Sequence, residues 1–214
     1  MPSLRVRELY ASIQGESTWA GWPCGFIRLA GCDLRCGYCD EVHAFQGGES
    51  LSLEQVMDRV ERLGVHLVEI TGGEPLLQPA TRELARRLLE AGHEVLVETA
   101  GHRDISQLDP RCHVILDVKT PGSGMAEHFD PGNLGRLGAG DEVKFVLVDR
   151  ADYEWARDFT RKHRLETRTS VHFSPVHPGL DPAALVEWIL EDRLRVRLNL
   201  QLHKFVWGSQ ARGV

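Results

Sequence analysis

Three of the five cysteines fall within eight residues, in Gly31-Cys-Asp-Leu-Arg-Cys-Gly-Tyr-Cys-Asp40, and space their thiols as C-x3-C-x2-C. Soft thiolate sulfur suits zinc or iron–sulfur clusters, and the number of ligands helps to separate the two. A structural zinc site takes four protein ligands, often as two separated pairs. This loop offers three, with no second pair elsewhere in the chain. A [4Fe-4S] cubane held by Cys32, Cys36 and Cys39 leaves one iron without a protein ligand. Two other readings stay open: a zinc ion completed by His43 or Cys24, and thiols that bind no metal. Cys24 and Cys112 lie outside the spacing and read as small buried hydrophobes.

Further polar groups recur where apolar runs end. Thr71-Gly-Gly-Glu-Pro75 follows one such run, and adjacent glycines permit backbone geometries closed to other residues. Glu98-Thr-Ala-Gly101 closes the next run and Asp117-Val-Lys119 the one after. Isolated charges there are often mere solvation of a strand end. Successive strand ends would nonetheless aim Glu98, Asp117 and Lys119 into one mouth.

The runs themselves predict a scaffold. Short β-branched segments at Phe26 to Ala30, His66 to Ile70, Glu94 to Glu98, His113 to Val118, Glu142 to Val148, Val171 to Phe173 and Val196 to Leu200 read as parallel strands covered on both faces. Helical patterns lie between them: Leu53 to Leu63 capped by Ser52 and ended by Gly64, Pro79 to Ala91 closed by Gly92, Arg150 to His163, and Asp181-Pro182 to about Glu191. Strand alternating with helix implies right-handed crossovers and a parallel α/β sheet. A full eight-fold barrel takes ~250 residues. This chain has 214, and its Gly- and Pro-rich Lys119 to Leu137 segment lacks a long helix. The expectation is one domain over 1–214, a partial, open (β/α) barrel truncated relative to the full form, with chemistry at the C-terminal strand ends.

Composition narrows the function. Apolar residues make up 42% and charged residues 26%, with a net charge of −6. With no Lys/Arg block, a nucleic-acid phosphate backbone is an unfavoured partner. No apolar run approaches 18 residues and the N-terminus has no apolar leader, so a cytosolic, membrane-free protein is expected. Reduced thiols in that compartment favour a ligand set over disulfides.

The cysteine loop after an early strand, with Tyr38 between its last two thiols, and the Gly-Gly-Glu-Pro run one strand later resemble the radical S-adenosylmethionine (SAM) superfamily. The resemblance implies that the open iron chelates the amino and carboxylate groups of SAM and passes an electron to its sulfonium. The 5′-deoxyadenosyl radical so formed abstracts a substrate hydrogen, and no side chain is assigned a catalytic role. It further implies SAM contacts from Tyr38, Gly73, Glu74, Asp117, Val118 and Lys119. The late segment of Ser174, Pro175, Val176 and His177 is expected to pack against the adenine.

Three more motifs, Ser12-Ile-Gln-Gly-Glu-Ser17, Phe26-Ile-Arg-Leu-Ala-Gly31 and Leu200-Gln-Leu-His-Lys204, resemble the 7-carboxy-7-deazaguanine synthase family of deazapurine (queuosine-type) biosynthesis, through most of the chain. The implied reaction turns 6-carboxy-5,6,7,8-tetrahydropterin into 7-carboxy-7-deazaguanine with release of ammonia, using SAM catalytically, Mg²⁺ and a flavodoxin-like electron donor. Ile13, Gln14 and Gly15 are then expected to hold the pterin ring, Arg28 its carboxylate, and Thr71 the substrate. Arg28 as a strand-surface charge, and Gln14 or Glu16 as hairpin polars, remain alternatives, as does His203 as a packed histidine instead of a site residue. A homodimer is implied, with Trp188 or Trp207 as contacts.

Two departures from the family pattern stand out. A Thr that ligates Mg²⁺ usually follows Cys-Asp, and here the run is Cys39-Asp40-Glu41, so Asp40 or Glu41 is expected to serve. The tail from Phe205 to Val214 is longer than in some relatives, and either folds over the site or forgoes a terminal-carboxylate contact. A glycyl-radical-enzyme activase and a non-catalytic metal or electron-transfer module are the competing functions.

Overall fold

The computed structural model describes residues 2–209 and 211–213; Met1, and Gln210 and Val214 of the tail, lie outside the described residues. It opens with a hairpin of β1 (Ser3–Ile13) and β2 (Pro23–Leu29), followed by a short β3 (Glu49–Ser52). Then come α1 (Leu53–Leu63), β4 (Leu67–Gly72), α2 (Ala80–Glu90), β5 (Glu94–Thr99), β6 (His113–Asp117) and β7 (Glu142–Leu147). The chain ends with α3 (Arg150–His163), β8 (Ser170–Pro175), α4 (Pro182–Glu191), β9 (Arg197–Leu198) and α5 (Leu202–Trp207).

All nine strands form one sheet in the order β3-β1-β2-β4-β5-β6-β7-β8-β9. From β2 to β9 every pairing is parallel, while β1 runs antiparallel to both β2 and β3. The two edge strands do not meet, so the barrel is open, as the chain length and the helix-poor Lys119 to Leu137 segment predict.

The helix boundaries follow from local chemistry. Ser52 Oγ accepts from Gln55 N while the Gln55 side chain accepts from Ser52 N, and Gly64 ends α1 at φ 65°. Asp149 and Asp181 cap α3 and α4. Between β5 and β6, and across Lys119 to Leu137, only 3₁₀ and other turns connect the strands, as expected for a segment with no helical pattern.

Alternation along the strands sorts two faces. Val68, Ile70, Val95, Val97, Val143, Phe145, Val171 and Phe173 point outward into the main core beneath the helices. On the other face Cys24, Phe26, Leu67, Leu96 and Ile115, with Tyr10 and Trp19 against them, plug the base of the half-barrel. Nearer the strand ends this inner face turns polar. The reading of these strands as apolar on both faces is corrected there.

Further corrections concern elements. The N-terminal strand β1 is not among the strands the sequence pattern predicts, and the expected Val196 to Leu200 strand shrinks to the two exposed residues of β9. Trp188 is half-buried against Tyr153, with Arg150 over its ring at 4.9 Å, and Trp207 is exposed at 41%. No helix of the described residues is long and apolar enough to cross a membrane.

Candidate active site

One cavity of about 520 Å³ opens at the C-terminal ends of the parallel strands. All three cysteines of the loop after β2 line it, half-buried. Burial pushes each of these thiols above its ordinary pKa. A thiolate at this depth therefore calls for a cationic partner. A tetrahedral zinc with Zn–S bonds of ~2.3 Å would hold its sulfurs about 3.8 Å apart. Among the described residues the three sulfurs do not all lie within 4.8 Å of one another, so they are not gathered at single-ion spacing. Cys24 lies fully buried in the basal plug and His43 faces carboxylates, so neither completes a zinc site. Burial drives the Cys112 thiol up to about 12 and Cys24 higher still, and both are inert core thiols.

The Gly-Gly-Glu-Pro run locks onto this loop through its backbone. Gly73 N donates to Leu29 O at 3.1 Å and Glu74 N to Gly31 O at 2.8 Å. Gly72 sits at φ 135°, where a Cβ would also overlap Leu29, and a Cβ on Gly73 would stand 2.6 Å from the Gly31 carbonyl carbon. Both positions need glycine because two strand ends touch there. The Glu74 side chain, expected against SAM, instead turns inward, fully buried. It accepts from Leu76 N at 2.9 Å, Thr99 Oγ1 at 2.8 Å and Ala100 N at 2.9 Å, and so ties β4 to β5 below the mouth. Val118 likewise points into the core, away from the cavity. Tyr38, Gly73, Asp117 and Lys119 do line it, as do Ser174, Pro175, Val176 and His177 at the end of β8. Val176 N donates to Leu147 O at 2.9 Å, which holds that segment against the end of β7. Lys119 Nζ donates to Asp117 Oδ2 at 2.6 Å and lies 5.9 Å from the centre of the Tyr38 ring.

The inner wall holds a charge network that sequence reasoning missed. Lys144, in the middle of β7, is 7% exposed and donates to Glu16 Oε2 at 2.9 Å and to Glu98, with Asp117 at 3.8 Å. Glu16 also accepts from Gln201 Nε2 at 2.9 Å. Burial alone would raise the Glu16 carboxyl, but Lys144 outweighs it and holds the group below its usual range. Glu69, buried and next to Glu98, is pushed well above it; Gln14 Nε2 donates to its Oε2. The sequence marks only two of its members. Glu69 and Lys144 each interrupt an apolar strand two residues from a cavity-facing position, Thr71 and Val146 respectively.

On the opposite wall Arg28 reaches the cavity from β2. Its Nε bonds Glu8 Oε2 at 3.1 Å, and its Nη2 bonds Glu41 Oε1 at 3.2 Å. It is a buried, cavity-facing cation and not a strand-surface charge. Asp40 is drawn elsewhere: Lys204 Nζ donates to its Oδ2 at 2.9 Å. Of the two carboxylates expected to meet Mg²⁺, Glu41 is the one with a buried oxygen left over. His203 packs directly on Gly15, Leu202 N donates to Gly15 O at 2.8 Å, and Gly15 and His203 line the cavity with Ile13 and Gln14. Beyond α5 the tail turns back, and Gly208, Ser209, Ala211, Arg212 and Gly213 line the mouth. The described part of the longer tail borders the site, and the terminal carboxylate of Val214 lies outside the described residues.

The Radical SAM superfamily model matches residues 26–119, the span from β2 to Lys119. Among curated proteins, the 7-carboxy-7-deazaguanine synthase of Koribacter versatilis is 46% identical over 99% of this chain and 100% of its own length. That of Chlorobaculum tepidum is 44% identical over 99% and 97%. This chain belongs to the 7-carboxy-7-deazaguanine synthase family. Among solved structures, QueE from Escherichia coli matches with a TM-score of 0.78 over 94% of this chain and 95% of that one, at 22% identity, which establishes the shared fold.

As a member of the 7-carboxy-7-deazaguanine synthase family the chain is a radical SAM enzyme, and its family brings a [4Fe-4S] cluster and SAM. The cysteine loop fits that cluster in ligand number, burial and place in the cavity. For the synthase family the notable local features are Lys144 at the centre of the inner wall and Arg28 between two acids on the opposite one.

Proposed function

We propose that this chain carries out the ring contraction for which its family is named, forming 7-carboxy-7-deazaguanine from 6-carboxy-5,6,7,8-tetrahydropterin with release of ammonia and catalytic use of SAM. The observation that carries the reading is the pairing of two walls across one cavity. Arg28 offers a guanidinium to a carboxylate, and the Gln14, Glu16, Glu98 and Lys144 wall offers donors and acceptors to a flat polar ring. When bound, the cluster and SAM supply the radical that removes and returns a hydrogen.

The chain's own residues bind, orient and shield. Ile13 to Gly15 and His203 border the ring, and Thr71, with Glu98 accepting its hydroxyl at 3.2 Å, stands between the two walls. Burial lowers the His203 pKa, so at neutral pH this group is an uncharged hydrogen-bonding partner. The tail residues exclude water above them. A guanidinium meets a carboxylate in two-pronged fashion, which fixes the ring's orientation as well as its affinity. The SAM-facing groups are Tyr38, Gly73, Asp117 and Lys119, with Ser174, Pro175, Val176 and His177 toward the adenine and Glu74 supporting them from below. Glu41 is the protein's contribution to a Mg²⁺ ion beside the substrate carboxylate. A flavodoxin-like donor, a homodimer through the exposed Phe205-Val206-Trp207 face, and one domain spanning the chain complete the reading.

The test is incubation of anaerobic, reduced enzyme with carboxytetrahydropterin and SAM, with products followed by mass spectrometry. Formation of 7-carboxy-7-deazaguanine without matching loss of SAM supports the assignment. Cleavage of SAM with no deazaguanine product refutes it and favours an activase.

A further inference from the structure

We propose that the outer side of the cysteine loop is a docking face for an acidic one-electron carrier protein of the flavodoxin type, centred on Arg35 and rimmed by Arg5, Arg7 and Arg103. Arg35 stands between Cys32 and Cys36 and is exposed. Its Nη1 donates to Cys32 O and to Leu34 O, each at 2.7 Å, and its guanidinium lies 4.4 Å from the centre of the Phe45 ring. Its backbone N–H donates to Met125 Sδ at 3.4 Å. One hydrogen bond thus joins a solvent-exposed cation to the backbone of Cys32, a short route from the surface to a cluster ligand.

The charge around it makes the case. Arg5 and Arg7 are exposed on β1. Arg5 Nη2 donates to Gly47 O at 2.6 Å, and a Cβ on Gly47 would stand 2.9 Å from Arg7 Nη1, so both reach the segment that follows Phe45. Arg103, after β5, grips Asp33 beside Cys32. Against these four cations stand Asp33, which His102 Nε2 also holds at 2.7 Å, and Glu127 in the turn after Met125. The other carboxylates of this end are taken: Glu49 by Arg59, Asp40 by Lys204, and Glu8 and Glu41 by Arg28 inside the cavity. The rim is therefore positive in a chain whose net charge is −6. The loop does not need that excess to hold its shape, because Gly31 N donates to Ala44 O and Gly37 N to Ser123 O through backbone alone.

Such a face fits a transient redox encounter. Arginine, methionine and aromatic side chains are the types that interfaces favour, and a guanidinium is more weakly hydrated than an ammonium. Redox encounters are small, under about 1,200 Å², and rely on charge to steer association. A small reductant needs no steering; an acidic protein that must bring its flavin edge to one loop does. In the transfer the carrier's flavin hydroquinone loses one electron and the oxidised cluster gains it, with no proton moved. The proposal deepens the ring-contraction reading by giving its electron donor a place to dock. Its test uses no pterin, so the two can fail separately.

The experiment mixes cluster-loaded protein and SAM, without substrate, with a bacterial flavodoxin in its hydroquinone form, and follows oxidation of the flavin by stopped-flow absorbance. Affinity for the oxidised flavodoxin is measured beside it by calorimetry. The bimolecular rate should fall steeply as salt is added. Arg35→Met, and Arg5→Glu combined with Arg7→Glu, should each lower that rate and the affinity by about tenfold or more at low salt. Iron content and the rate of reduction by dithionite should stay parental. Should Arg35→Met lose iron, the Arg5 and Arg7 variant, remote from the thiols, decides alone. Arg62→Glu, at the end of α1 that leads to the start of β4 and so away from the mouth, should behave as the parent. Parental rate and affinity in the Arg5 and Arg7 variant, a loss matched by Arg62→Glu, a rate indifferent to salt, or equal slowing with dithionite overturns the proposal.

Discussion

Replacing Gly73 with alanine tests how tightly the two loops of the active site are joined. The added methyl would stand 2.6 Å from the Gly31 carbonyl carbon and 2.9 Å from Cys32 Cβ, against an ordinary contact of 3.4 Å. The shortfall is 0.8 Å to the Gly31 carbonyl carbon (3.4 less 2.6) and larger to its oxygen, and both belong to backbone, which has no rotamer to yield. The Gly-Gly-Glu-Pro run and the cysteine loop must therefore part by at least that distance. Overpacking of this kind costs about 1–3 kcal/mol. For a chain of this size that is a fall in Tm of roughly 2–12 °C. Function should suffer more, because Cys32 moves and the Gly73 N–H leaves Leu29 O. A misplacement near 1 Å costs about 10²-fold in rate. The assay is thermal unfolding together with iron content and SAM-cleavage rate of anaerobically reconstituted protein. A Gly73→Ala enzyme with parental Tm, full iron and a rate within about threefold of the parent would refute the close-contact reasoning.

Other expectations follow from the inner wall and the tail. Lys144→Met strands Glu16, Glu98 and Asp117 without their cation and should cost about 3 kcal/mol at pH 8, the lower end of a broken buried pair because the cavity admits water. Since Lys144 holds Glu16 below its usual value, the stability it lends is present above about pH 4.5 and lost as pH falls through the lowered folded value, so the parent–variant gap should close in acid denaturation series. Glu74→Gln turns an amide NH₂ toward a backbone N–H, of Leu76 or of Ala100, whichever oxygen it replaces, and should lower stability by about 1–3 kcal/mol, read as a shifted denaturant midpoint with unchanged slope. Deleting residues 205–214 uncovers the mouth and should raise KM for the pterin about tenfold, roughly 1.4 kcal/mol of lost binding, while the cluster spectrum persists.

Much of the fold was legible because its signals are local. The apolar runs of β4 through β8 and the caps Ser52, Asp149 and Asp181 mark elements without help from distant residues. Strand β1 is harder to read because Leu4 and Val6 alternate with Arg5 and Arg7, a weak period-2 pattern whose burial depends on partners β2 and β3. The six-residue α5 and two-residue β9 are held by tertiary contacts more than by propensity. The cysteine loop was legible because its spacing carries chemistry by itself. The Lys144 network was not, since Glu16 and Lys144 stand 128 residues apart, and only the curl of the sheet brings them together. Glu74 shows the converse: a motif residue can be read correctly as part of the site's architecture yet face away from its ligand.

The central claim is a three-thiolate cluster with one iron open to SAM. Protein purified anaerobically should be brown and contain about four irons per chain, and after reduction should give a low-temperature paramagnetic resonance spectrum whose g-values shift when SAM is added. A colourless protein carrying zinc at those thiols, or a reduced cluster whose spectrum is the same with and without SAM, would contradict the account.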